Sequence, residues 1–210
     1  MKKIKIEIIP VIHMVNQEQV FRNIEICISC GIDKVFLINH EVTTSDILST
    51  ALKAKKIFPE MWVGINMLGM KTTDALSIDE PLIDGLWCDA SISIKDVVDR
   101  NFKGMFFGGL AFKYQKQPKD LKLACIEATL TTDVATTSGP GTAKPAAIEK
   151  IKIIRDHLGD HPMAIASGVS VDNIESYIGL ADYLLVASSI TDDNEFIIEE
   201  KLKELKNKIK

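Results

Sequence analysis

Short apolar runs alternate with longer amphipathic stretches along the chain. The runs are Ile8 to His13, Val35 to Asn39, Trp62 to Leu68, Gly85 to Asp89, Gly104 to Gly109, Asp133 to Ser138, Pro162 to Gly168 and Ala181 to Ile190. Each is apolar nearly throughout, which is the pattern of a strand buried on both faces of a parallel sheet. The stretches between them carry helix signals. Asn16 is placed to cap a helix with Val20, Ile24, Cys27 and Ile28 on one face and Gly31 at its end. Ser45 is placed to cap Asp46 to Lys56, with Ile47, Leu48, Ala51 and Leu52 inward. Pro145 suits the first turn of a helix holding Ile148, Ile151 and Ile154. Ser170 is placed to cap Val171 to Ile178. Asp192 or Asp193 is expected to begin the last helix, with Phe196, Ile197, Leu202 and Leu205 on one side. Residues 69–84 have room for only a short helix, and residues 113–130 open with the polar loop Lys113 to Lys119.

Taking His13, Asn39, Asn66, Asp89, Gly109, Ser138, Gly168 and Ser188 as strand ends, the steps between them are 26, 27, 23, 20, 29, 30 and 20 residues. That regularity predicts eight βα units in an α/β fold, a single (β/α)8 TIM barrel formed by residues 1–210. A doubly wound open sheet is the alternative. It would leave a less regular edge, and no dinucleotide-binding G-x-G-x-x-G follows the first strand. The length of 210 residues is short for this barrel, which typically takes about 250, so a second domain is not expected.

Composition adds limits. The chain is 46% hydrophobic and 26% charged with a net charge of −4, as in an ordinary soluble domain. No basic stripe supplies a nucleic-acid footprint. The lysines at 201, 203, 206, 208 and 210 are interleaved with Glu199, Glu200 and Glu204, which reads as a solvated helix face. Cys27 and Cys30 have C-x-x-C spacing, but they lie late in a helix among apolar neighbours with no second pair, so buried structural thiols are expected. Met1 to Lys5 is too polar for the start of a signal peptide, and no run approaches the ~20 apolar residues of a membrane span. A cytoplasmic protein with reduced thiols, without cofactor, and compatible with a homo-oligomer, is the expectation.

In such barrels function gathers at the carboxyl ends of the strands. Polar residues stand there: His13, Asn39, His40, Asn66, Asp89, Thr136, Thr137, Ser138, Ser167, Ser188 and Ser189. The turns after strands seven and eight, around Ser167–Gly168 and Ala187–Ser188, are built from small residues. Small residues let backbone N–H groups approach an anion, so these turns are read as a phosphate site, with tight turn packing as the plain alternative. The loop after strand six, Thr137-Ser138-Gly139-Pro140-Gly141-Thr142-Ala143-Lys144, is expected to close over the ligand with Gly141, Thr142 and Lys144 at the phosphate. It is not a Walker A loop.

Three segments carry a family resemblance. They are Pro10-Val11-Ile12-His13-Met14, then Thr137-Ser138-Gly139 through Lys144-Pro145, and finally Ala166-Ser167-Gly168-Val169-Ser170-Val171-Asp172-Asn173-Ile174 with Ala181-Asp182 and Val186-Ala187-Ser188-Ser189. In these the chain resembles the ribulose-phosphate-binding group of TIM barrels, and within it the BtpA-like proteins, named for a role in photosystem I biogenesis. The resemblance implies a barrel that holds a phosphorylated ligand.

Asp89 and His13 are the candidates for acid–base work, because a carboxylate and an imidazole can face each other across a barrel mouth. An aspartate directly after Leu86-Trp87-Cys88 is costly to bury without a partner or a task. Asn39, Asn66, Thr137 and Ser138 are candidates to hold substrate hydroxyls. No metal is expected. A divalent ion on His13, His40 and Asp89 is the alternative, with nothing to fix its ligand spacing. His157 and His161 fall at a helix end and loop away from the site, and no G-x-S-x-G elbow supports a Ser-His-Asp hydrolase. Two functions follow: an isomerase, lyase or phosphoribosyl transferase acting on a phosphorylated sugar or nucleotide-like molecule, or a non-catalytic binding or assembly protein. The second is favoured by the absence of any lysine or glutamate at a strand end.

Overall fold

The computed structural model describes residues 6–98 and 100–209; Met1 to Lys5, read above for a signal peptide, and Lys210 lie outside the described residues. Eight strands run in chain order: β1 (Glu7–His13), β2 (Lys34–Ile38), β3 (Trp62–Asn66), β4 (Gly85–Cys88), β5 (Met105–Gly109), β6 (Val134–Ser138), β7 (Met163–Ala166) and β8 (Tyr183–Val186). They close into a barrel in which every neighbouring pair is parallel and β8 returns to β1. The helices are α1 (Gln17–Ser29), α2 (Thr44–Ile57), α3 (Thr72–Leu76), α4 (Ile94–Val98), α5 (Leu121–Thr131), α6 (Ile148–Leu158) and α7 (Glu199–Asn207), with a 3-10 turn at Ile174–Tyr177 between β7 and β8. Among the described residues no helix is long and apolar enough to cross a membrane.

Alternation along each strand divides the core in two. One set of side chains meets the helices: Ile8, Val35, Val63, Leu86, Phe106 and Leu184 among others. The other fills the barrel: Ile9, Val11, Phe36, Ile38, Trp87, Phe107, Val134, Ala164 and Leu185. Phe36 is the hub of that interior, with ring centroids 5.2 Å from Trp62, 5.8 Å from Trp87 and 5.0 Å from Phe107, all edge-on. These aromatics fit because Gly64 and Gly85 leave the room: a Cβ at either would run into Phe36 or Trp62.

Several helix starts differ from the sequence reading. Asn16 does cap α1, its side chain accepting from Gln19 N–H at 2.9 Å. At α2 the cap is Thr43, not Ser45, because Thr43 and Asp46 satisfy each other's backbone N–H groups in a capping box. α6 begins at Ile148, three residues after Pro145. Ser170 caps no α-helix. Its N–H donates to Asn173 Oδ1 at 2.9 Å, Asn173 Nδ2 donates to Gly168 O at 2.7 Å, and only the 3-10 turn follows. Asp192 does not start the last helix. Its Oδ1 accepts from the N–H groups of Asn194 and Phe196, both at 2.9 Å, closing a turn, and α7 starts at Glu199. All four cysteines are buried and free; burial raises the Cys27 thiol and pushes Cys88 up to about 12, which leaves both unreactive as nucleophiles.

Candidate functional site

The chain that follows the strands builds one cavity of about 930 Å³ at their carboxyl ends. His13, His40, Leu68, Asp89, Lys113, Thr142, Ser167, Gly168, Ala187 and Ser188 are on its wall. All eight strands thus contribute, and the wall includes the candidates His13, Asp89, Thr142, Ser167, Gly168, Ala187 and Ser188.

Asp89 lies one residue beyond β4 and is largely buried. Asn66 Nδ2 donates to its Oδ1 at 3.2 Å. Burial holds the Asp89 carboxyl above the ordinary carboxylate value, against the opposing pull of the Asn66 hydrogen bond and the Lys113 charge. Lys113 comes from the loop after β5. Its Nζ donates to Ser167 Oγ at 2.8 Å and to Thr142 Oγ1 at 3.4 Å, and burial lowers its pKa. The Lys113 backbone N–H donates to Ser138 Oγ at 2.7 Å, and Lys150 Nζ donates to the carbonyls of Ala111 and Ser138 at 2.7 and 2.8 Å. The loop carrying Lys113 is thereby fastened to the end of β6.

Several residues read as ligand contacts lie off the cavity wall. Asn39 does not line the cavity: its Oδ1 accepts from Leu68 N–H at 2.7 Å and its Nδ2 donates to Val42 O at 3.4 Å, tying the loops after β2 and β3. Asn66 and Ser138 are buried and hold Asp89 and Lys113 in place. Thr137 falls on the helix-facing side of β6, like Ala135, and its buried hydroxyl has no partner among the described residues. Gly141 is buried, and Lys144 is exposed and off the cavity wall. Among the described residues, Lys113 is the lysine or arginine on the cavity wall.

Across the mouth from Asp89, His13 Nδ1 lies 3.1 Å from Glu195 Oε1, and the His13 ring meets His40 edge-on with centroids 4.7 Å apart. Burial, then the His13 charge, lowers the His40 pKa. Glu195 is held from behind: its carbonyl accepts from Gln19 Nε2 at 2.7 Å and Asn23 Nδ2 at 2.9 Å, two buried amides on α1. Lys113 and Glu195 were invisible at the strand ends because both enter from loops. Lys113 opened a stretch read only as a polar connector, and Glu195 sat in a stretch read as a helix start. Among the described residues no three His, Cys, Asp or Glu side chains group to hold a metal, so the His13–His40–Asp89 alternative has no site.

The turns after β7 and β8, with their backbone N–H groups, lie on the cavity wall. Those of Gly168, Val169, Ser188 and Ser189 are taken by no hydrogen bond among the described residues, although Val169 is buried. Ser189 Oγ donates to Val169 O at 2.7 Å and joins the two turns. Gly168, at φ +67°, also receives the loop after β6: a Cβ there would run into Pro145 and the carbonyl carbon of Lys144. Among the described residues, five other than glycine have positive φ: Ala111, Tyr114, Ala143, Ser167 and Glu195. All five stand on loops at this end of the barrel, where strained backbone tends to serve a site. The remaining histidines are elsewhere; His161 Nε2 meets Thr132 Oγ1 at 3.2 Å at the amino end, and His157 is exposed on α6.

No protein-family model matches the chain, and no curated protein matches it by sequence. Solved structures match it by fold. Phosphoribosyl anthranilate isomerase from Thermus thermophilus superposes with a TM-score of 0.70 at 11% identity, covering 97% of this chain and 98% of that one. Thiamine phosphate pyrophosphorylase from Pyrococcus furiosus gives 0.66 at 14% identity over 99% and 96%. A truncated 3-deoxy-D-arabino-heptulosonate 7-phosphate synthase from Thermotoga maritima gives 0.66 at 15% identity over 98% and 86%. At these identities the likeness shows that the chain has the fold of these α/β barrels.

Proposed function

We propose that the protein is an enzyme acting on a phosphorylated sugar or nucleotide-like small molecule, with the phosphate on the turns after β7 and β8 and acid–base chemistry at Asp89 and His13. The observation that carries this reading is the set of backbone N–H groups at Gly168, Val169, Ser188 and Ser189 with no hydrogen bond among the described residues, in turns that line a cavity also holding a largely buried carboxyl. A buried N–H without a partner is costly, and an anion there would satisfy several at once. Similar barrels named for phosphoribosyl anthranilate, thiamine phosphate and a heptulosonate 7-phosphate add support of the same kind. So do the residues behind the resemblance to the ribulose-phosphate-binding and BtpA-like proteins, since Ala166 to Ile174 and Val186 to Ser189 form these turns. The enzyme reading gains over a purely binding or assembly role because Lys113 and Glu195 supply the charged groups missing from the strand ends.

A thermal-shift screen against phosphorylated metabolites tests it. A ligand at a hundred times its Kd stabilises the folded state by about 2.7 kcal/mol. Hits should share a phosphate, lose their effect when it is removed, and be competed by inorganic phosphate. A screen in which only unphosphorylated compounds stabilise the protein would overturn the reading.

A further inference from the structure

The amine of Lys113 is half-buried in the cavity without a partner of opposite charge. Among the described residues no carboxylate lies within 4.0 Å of its Nζ, whereas the ammonium groups of Lys34 and Lys55 sit 2.7 Å from Glu7 and 2.8 Å from Asp84. Its acceptors are two neutral hydroxyls, Ser167 Oγ and Thr142 Oγ1, and the rings of Phe112 and Tyr114 each stand 5.9 Å away. Burial in the cavity, with no carboxylate close by, lowers the pKa of this amine against the opposing pull of Asp89 and Tyr114. On the same cavity wall is Asp89, a largely buried carboxyl whose pKa burial raises. A neutral amine near a carboxyl that can deliver a proton is what addition to a carbonyl group needs.

We propose that Lys113 Nζ forms an imine with the carbonyl carbon of a phosphorylated aldehyde or ketone. This rests on the phosphate reading above, and it names the substrate class. The lone pair of the amine attacks the carbonyl carbon and forms the C–N bond. One proton passes from the attacking nitrogen to the former carbonyl oxygen and a second is delivered by the Asp89 carboxyl, so that the oxygen leaves as water while the nitrogen lone pair forms the C=N bond and Asp89 is left as the carboxylate. The resulting iminium withdraws an electron pair from the neighbouring carbon, which is the step shared by aldol cleavage and carbonyl isomerisation. Ser167 links the two subsites, since its hydroxyl receives Lys113 and its backbone leads into Gly168 and Val169. A simple electrostatic clamp on phosphate is the poorer assignment for Lys113. A dianion held at Lys113 would be repelled by an ionised Asp89, whose charge acts on Lys113.

The test treats the full chain at neutral pH with glycolaldehyde phosphate, or with glycolaldehyde, in the presence of cyanoborohydride, which reduces an imine to a stable secondary amine. Intact mass and peptide mapping read the product. The expected result is one dominant adduct, on Lys113, formed at least about tenfold faster than on any other lysine. It should be absent from Lys113→Arg, and about 10²-fold slower or more in Asp89→Asn, the loss typical of removing one acid–base group. Lys113→Met is the second amine-free variant should the arginine perturb folding. Labelling of other lysines as fast as Lys113 overturns the proposal, whatever the variants do. Equal Lys113 labelling by both aldehydes would keep the imine and remove the phosphate subsite. Stabilisation by inorganic phosphate without Lys113 labelling would keep the phosphate subsite and remove the imine.

Discussion

Burial holds the carboxyl of Asp89 above its ordinary value and the amine of Lys113 below its own, so both groups resist their charged forms. The stability linked to Asp89 is fully present below the unfolded value near 3.8 and is lost as pH rises through the raised folded value. The stability linked to Lys113 is present above the unfolded value of 10.5 and is lost as pH falls through the lowered folded value. The native protein therefore bears a cost at each group where that group is charged, partly offset by their mutual attraction. Asp89→Asn should raise the melting temperature at pH 7, by about 2–4 °C for each kcal/mol relieved, and the gain should vanish below about pH 4. Turnover should fall about 10²–10⁴-fold in the same variant. A melting series across pH checks the first statement, and a lower melting temperature at neutral pH would contradict it. Asp89 was legible in the sequence because an aspartate directly after three apolar residues needs a reason. Lys113 was not, because it stands four residues beyond the end of β5 and only the fold turns it inward.

At the scale of elements, strands were easier to read than helix starts, for a physical reason. A strand buried on both faces must be apolar along its length, so its sequence is constrained everywhere. A cap is chosen among neighbouring hydroxyls and carboxylates by local geometry that the sequence leaves open. Thr43, Ser45 and Asp46 were all available at α2, and the reciprocal bonding of Thr43 with Asp46 decided between them. Thr43→Ala should cost about 0.5–2 kcal/mol in denaturant titration, and Ser45→Ala close to nothing. The turns after β7 and β8 show the same limit. Their small residues were readable, but the packing of Gly168 under Pro145 was not. Gly168→Ala should therefore destabilise the fold by about 1–3 kcal/mol, as overpacking does, and is a poor probe of binding alone. Ser188 is exposed on the cavity wall, so Ser188→Glu should leave the melting temperature nearly unchanged and abolish stabilisation by phosphate through like-charge repulsion. Retained phosphate stabilisation in that variant would move the anion site elsewhere.

Across the whole molecule the two ends of the barrel are built for different ends. At the amino end one arrangement recurs: Asp84, Asp133 and Asp182 directly precede β4, β6 and β8. Each carboxylate accepts a backbone N–H of the preceding strand, from Val63, Phe106 and Met163 at 2.8, 2.7 and 2.8 Å. Each also pairs with a basic side chain, Lys55, Arg100 or Arg155, at 2.8, 2.8 and 2.7 Å. These groups fix adjacent strands and pair every charge among them, whereas the carboxyl end keeps backbone N–H groups without a hydrogen bond among the described residues, and residues other than glycine at positive φ. Arg155 is the most connected of the three bases. It donates to the carbonyls of Leu180, Gly159 and His161 at 2.7, 2.9 and 3.0 Å as well as to Asp182. Arg155→Met keeps much of the side chain's bulk and removes those donors. It should cost about 1.5–3 kcal/mol, the range for hydrogen bonds to a charged group, seen as a lower midpoint in urea. The additional stabilisation produced by a phosphorylated ligand should be the same as in the wild type, because the proposed site is at the other end. The contrast with Asp89→Asn is the sharper test, since one variant should lose stability and keep binding while the other gains stability and loses turnover. An Arg155→Met protein with unchanged stability, or with ligand stabilisation abolished, would show that the two ends are not separated in this way.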